Sequence, residues 1–134
     1  MNLMLFRGLA SRLLLSKRKV KEETEVISVT SPLALTNSDS GKTYSLDSAI
    51  ARLDIPLRAT LTAGWTITVK TTVPEYSRYV TVTGEEVGVG LVNFEGDPWD
   101  GIMMSSLDAK ATITFNGMSF DAVAIAGTVK GYWD

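Results

Sequence analysis

The chain has 134 residues, 45% of them hydrophobic, with 13 basic and 15 acidic side chains and a net charge of −2, which is enough apolar mass for one core and too much for a disordered chain. It contains no cysteine and no histidine, which removes disulfides, thiolate nucleophiles, thiolate and imidazole metal sites, Ser-His hydrolase arrangements and the ordinary general base near neutral pH. A binding or structural protein is therefore expected, not an enzyme, with no cofactor and no metal centre.

Charge divides the chain into two parts. Arg7, Arg12, Lys17, Arg18, Lys19 and Lys21 fall within residues 1–21, which hold no acidic side chain, while the remainder carries seven basic against fifteen acidic residues. A +6 arm (1–21) thus precedes a −8 body (22–134), an asymmetry typical of a tail that binds a surface the body does not. The arm has helical periodicity: Leu3, Phe6, Leu9, Ala10, Leu13 and Leu14 share one side of a 3.6-residue wheel, and Arg7, Ser11, Arg12, Arg18 and Lys19 gather largely on the other. Met4, Leu5 and Leu15 interrupt the polar side and Lys17 the apolar side, so contact on more than one flank is expected. Gly8 costs a helix interior about 1 kcal/mol relative to Ala, which suggests an arm held by a partner.

A secretory signal is not expected, because Arg7 and Arg12 break the apolar run and Ser16-Lys17-Arg18-Lys19 follows it. A membrane span would need roughly 20 mostly apolar residues, and the longest unbroken apolar stretches here are a few residues each. An organelle transit peptide has the same Arg- and Ser-rich, acid-poor composition, and is the competing explanation of the arm. The preferred partner is a protein surface rather than a bilayer or nucleic acid, since the apolar residues spread too widely for a clean interfacial helix and the body has no basic stripe. The expected partner-binding residues are Leu3, Phe6, Arg7, Leu9, Arg12, Leu13, Lys17, Arg18 and Lys19, together with Trp133 at the far end of the chain.

From Glu25 onward, short β-rich runs alternate with turn residues. Strands are expected near Val26 to Thr30, Thr43 to Leu46, Trp65 to Thr72, Tyr79 to Thr83, Val87 to Val92, Ala109 to Phe115, Ser119 to Ala126 and Thr128 to Trp133. Turns are expected at Asn37 to Gly41, Ala63-Gly64, Gly84-Glu85, Gly96-Asp97-Pro98 and Asn116-Gly117, the last a type I′ hairpin signal. A short helix is expected at Leu46 to Ala51. With no helical crossovers elsewhere, the pattern predicts an all-β, jelly-roll-like antiparallel β-sandwich carrying the basic amphipathic arm.

Few residue clusters suggest chemistry. Thr36-Asn37-Ser38-Asp39-Ser40-Gly41-Lys42-Thr43 ends like a phosphate-binding loop, but Thr36 replaces the opening glycine and no helix pattern follows, so a turn leading into a strand is expected. Glu95, Asp97 and Asp100 could place oxygens on Ca²⁺, yet their spacing fits no EF-hand loop and an ordinary exposed turn is preferred. Trp65, Tyr76, Tyr79, Trp99, Tyr132 and Trp133 could offer flat faces to sugars or bases. Trp65 and Tyr79 lie in strand patterns and are assigned to the core, whereas Tyr132-Trp133 could close the core or meet a neighbouring subunit.

The run Leu35-Thr36-Asn37-Ser38-Asp39-Ser40-Gly41-Lys42-Thr43-Tyr44-Ser45-Leu46-Asp47, then Ile55-Pro56-Leu57, Ala63-Gly64-Trp65-Thr66-Ile67-Thr68-Val69 and the closing Gly131-Tyr132-Trp133, resembles small β-rich virion proteins of tailed bacteriophages. The likeness spans roughly Leu33 to Trp133 and excludes the arm, and Ile55-Pro56-Leu57 departs from the usual order of the "L-P" pair. It implies a virion component, either a capsid decoration (cement) protein on the capsid exterior or a tail-fibre or receptor-binding module contacting host glycans. The first is the expected function: a body on the shell, with residues 1–21 clamping subunits of the major capsid protein. Self-association is also expected, as a trimer in preference to a dimer, because a small sandwich leaves sheet edges that need covering.

Overall fold

The structure, a computed structural model, describes residues 25–73, 79–82 and 88–133. Among the described residues there are twelve strands: β1 (Val26–Val29), β2 (Pro32–Ala34), β3 (Thr43–Leu46), β4 (Arg52–Ile55), β5 (Thr66–Thr71), β6 (Tyr79–Val82), β7 (Val92–Phe94), β8 (Asp97–Trp99), β9 (Gly101–Met104), β10 (Lys110–Phe115), β11 (Phe120–Ala126) and β12 (Val129–Tyr132). They form a large sheet in the order β1-β3-β5-β10-β11-β7-β8 and a small sheet in the order β12-β9-β6-β4-β2. The expected all-β sandwich is what the chain forms.

Pairing within the sandwich is mixed rather than antiparallel throughout. From β1 to β6 the chain crosses between sheets at every step, so β1, β3 and β5 align in parallel in one sheet and β2, β4 and β6 in the other. A parallel pair needs a crossover, and here the crossover is a strand of the facing sheet. The absence of helical patterns therefore did not exclude parallel pairing. The second half is mostly antiparallel, β10 pairing with both β5 and β11 and β9 with both β6 and β12, with β7 parallel to β11 as the exception.

Side-chain alternation fixes which face is inside. In β5, Ile67, Val69 and Thr71 are buried while Thr66, Thr68 and Lys70 are only partly covered; β10 repeats this with Ala111, Ile113 and Phe115 inside. Leu46, Leu53, Ile55, Val80, Ile102 and Met104 are fully buried, each large aliphatic side chain contributing roughly 1.5–3 kcal/mol. Thr71 is tolerated inside because its hydroxyl bonds to the Leu46 carbonyl at 3.0 Å. Trp65 is a core residue, as expected: its indole N–H donates to the Thr36 carbonyl at 3.0 Å and its ring meets Phe120 edge to face. Tyr79 lies on β6, and its side chain is outside the described part of the structure.

The turns explain where the sequence misled. Leu46 to Ala51 is no helix: Leu46 ends β3 and Asp47 to Ala51 forms bends and a turn into β4. Asp97-Pro98-Trp99 is a strand rather than part of a turn, because Glu95 (φ 53°) and Gly96 (φ 86°) both take positive φ and close a two-residue I′-type hairpin between β7 and β8. The Asn116-Gly117 hairpin does form, between β10 and β11, but only Gly117 (φ 101°) has positive φ, the pattern of a II′ turn. Of the strand expected at Val87 to Val92, only Val92 is in strand, opening β7, and Val87 lies outside the described residues.

Candidate interaction surfaces

Nine of the ten residues expected to bind a partner, Leu3, Phe6, Arg7, Leu9, Arg12, Leu13, Lys17, Arg18 and Lys19, lie outside the described residues. The segment that bears them is joined to the body through β1, an edge strand of the large sheet on which Val26 is exposed. Trp133 is described. It is 53% exposed and packs at a tilt against Trp99, with ring centroids 5.3 Å apart. Gly131 makes room for this pair, since a Cβ there would overlap the Trp99 indole. Trp133 thus covers part of the Trp99 ring and leaves about half its own surface to solvent. Beside Trp99 lies a cleft of about 340 Å³ between the β7–β8 hairpin and β12, bordered by Phe94, Glu95, Asp97 and Lys130.

The acidic loop divides by burial. Asp100 is buried and its carboxylate accepts the Gly90 N–H at 3.1 Å, which makes it a backbone-holding group, whereas Glu95 and Asp97 are exposed. Among the described residues no group of three or more acidic side chains is placed to hold a metal ion. The loop from Thr36 to Thr43 is a turn into β3, as expected. Its residues Asn37–Asp39 form one 3-10 turn, closed by Asp39 accepting the Thr36 N–H at 2.7 Å and the Lys42 ammonium at 2.9 Å. Burial pushes the Asp39 carboxyl up, but Lys42, the Thr36 amide and the Tyr44 hydroxyl outweigh it and hold the group below its ordinary value. Tyr44, buried and facing Asp39, is pushed upward and stays protonated.

One surface escaped the sequence reading. β7 pairs only with Phe120, Asp121 and Ala122 of β11, so the β11 edge from Val123 to Ala126 has no neighbour among the described residues. Phe120 sends its N–H toward β7, to the Leu91 carbonyl at 2.9 Å. By strand alternation Ala124 aims its N–H the same way, past the end of β7. All four side chains, Val123, Ala124, Ile125 and Ala126, are apolar and exposed. The signal was present as an uncharged run ending a strand pattern, but without the strand order it could not be told from a core segment.

Among the described residues no helix is long and apolar enough to cross a membrane. No protein-family model matches the chain, and no curated protein matches it significantly.

Proposed function

We propose that this protein is a structural component of a tailed-bacteriophage particle: a capsid decoration protein whose β-sandwich sits on the capsid exterior and whose residues 1–21 bind across subunits of the major capsid protein. The observation that carries this reading is the β11 edge, where four consecutive exposed apolar residues border a strand edge that has no neighbour among the described residues. Such edges pair readily with other chains unless they are protected, and an assembly protein has a use for one. The charge split between residues 1–21 and the body adds a second, oppositely charged contact region. The reading assigns the protein no catalysis, no nucleic-acid contact and no membrane contact, and it includes self-association on the shell, as a trimer in preference to a dimer.

Co-sedimentation with purified shells tests it. The full chain should bind at a copy number set by the capsid lattice, and removal of residues 1–21 should abolish binding while leaving the melting temperature of the body unchanged. Within the arm, Phe6→Ala should weaken binding more than Arg12→Ala, since burying an aromatic side chain is worth ~1.5–3 kcal/mol and an exposed ion pair ~0–1 kcal/mol.

The Trp99–Trp133 pair beside its polar-rimmed cleft favours a second reading, a tail-fibre or receptor-binding module that stacks host glycans on indole faces. Copy number set by the fibres, with saccharide binding lost in Trp133→Ser, would select that reading.

A further inference from the structure

Outside the surfaces described above, the large sheet places two lysines directly opposite each other. Lys110 on β10 pairs with Lys70 on β5 in the antiparallel register, and both side chains lie on the outer face, where they are partly covered. Directly opposed residues have Cβ atoms about 4.5–5.5 Å apart, and like charges there destabilise a sheet. Two carboxylates border the pair. Asp47 attracts Lys70, but its oxygens accept the hydroxyls of Ser28, Ser45 and Thr72. Asp108 lines a hollow of about 230 Å³ that also touches Lys70, Thr71, Thr72, Leu107 and Lys110. Neither carboxylate closes an ion pair with either lysine, the ion pairs formed among the described residues being Lys42–Asp39 and Arg52–Asp54. The hollow therefore has two cations on one wall and an exposed leucine, Leu107, at its rim.

We propose that Lys70 and Lys110 form a docking site for a carboxylate of an acidic partner segment. One carboxylate has two oxygens and accepts one ammonium on each, so a single acidic side chain can relieve the repulsion between the lysines. Asp108 on the rim disfavours a phosphate dianion more than a single carboxylate, and Leu107 offers apolar contact to the residues flanking the acid. The site lies on the outer face of a sheet whose inner face is core, so a partner reaches it without disturbing the fold. It does not depend on the partner being a capsid.

Thermal melts of the full chain at low and constant ionic strength test this, with glutarate as the probe and chloride and inorganic phosphate as controls. Glutarate should raise the midpoint by roughly 5 °C at about ten times its dissociation constant, with amide shifts confined to Lys70, Thr72 and Lys110. Lys110→Gln should lose that response and, with no carboxylate added, melt higher than the parent because the opposed charge is gone. The proposal is overturned if glutarate acts no more strongly than chloride, if phosphate stabilises in its place, if Lys110→Gln keeps the full response, or if Lys110→Gln melts lower without the probe.

Discussion

Asp47 shows how one half-buried side chain can join strands. Its carboxylate accepts hydrogen bonds from the hydroxyls of Ser28 on β1, Ser45 on β3 and Thr72 just after β5, so it ties together the three parallel strands of the large sheet. The Ser28 and Ser45 hydroxyls hold the group below its ordinary carboxylate value against the small opposing effect of burial, with Thr72 and Lys70 adding to them. A folded-state value depressed in this way supplies stability that is present above the unfolded value of 3.8 and disappears as pH falls through the folded one. Asp39 acts in the same direction. Asp47→Asn should therefore melt lower than the parent near neutral pH, by about 1 kcal/mol after allowing for solvent screening, and the gap should close as the solution is made acid. Melting curves between neutral pH and pH 3 check this; a gap that is constant with pH would remove the carboxylate from the explanation.

At the level of elements, the β10–β11 hairpin is the most locally determined part of the fold. Asn116 accepts the N–H groups of Met118 and Ser119 on its side-chain oxygen, each at 2.9 Å, and donates its amide to Asp121 at 3.0 Å. Gly117 supplies the φ of 101° that the turn requires, in open space where a Cβ meets only Ala63 at 3.7 Å. The cost of Gly117→Ala is thus conformational rather than steric: about 1–2 kcal/mol, measurable by chemical denaturation with the m-value unchanged. This hairpin was legible because its residues and its partners are neighbours in sequence. The Glu95-Gly96 hairpin was not, since glutamate is not a residue that advertises positive φ. β2, β4 and β9 were missed for a different reason. Pro32-Leu33-Ala34, Arg52 to Ile55 and Gly101 to Met104 are three or four residues each, with little β-branched content, and they become strands because a neighbour in the small sheet supplies the hydrogen bonds.

For the whole molecule, composition and turn spacing made the all-β sandwich readable, whereas the direction of its strands depended on which sheet each strand joins. That choice is made by packing between residues far apart in the chain, such as Tyr44 with Val69 or Leu53 with Val80, and no local pattern encodes it. The candidate interaction surfaces were unevenly legible. Trp133 stood out as an aromatic near the chain end, while the β11 edge and the Lys70–Lys110 pair exist only through strand order and register.

The alternating crossover path has a consequence for how the molecule opens. β1 and β2 are consecutive strands, yet each is the outermost strand of a different sheet, so both can detach while every other strand pairing survives. They should behave as one cooperative opening unit, with amide exchange in Ile27 to Val29 and Leu33 to Ala34 faster than in β5 and β10 and at rates matched to each other. Unequal rates in the two strands would show that they open separately. Residues 1–24 connect to the body at this unit, so a load applied to that segment would reach the most easily opened strands first and could be absorbed there while the core stays closed.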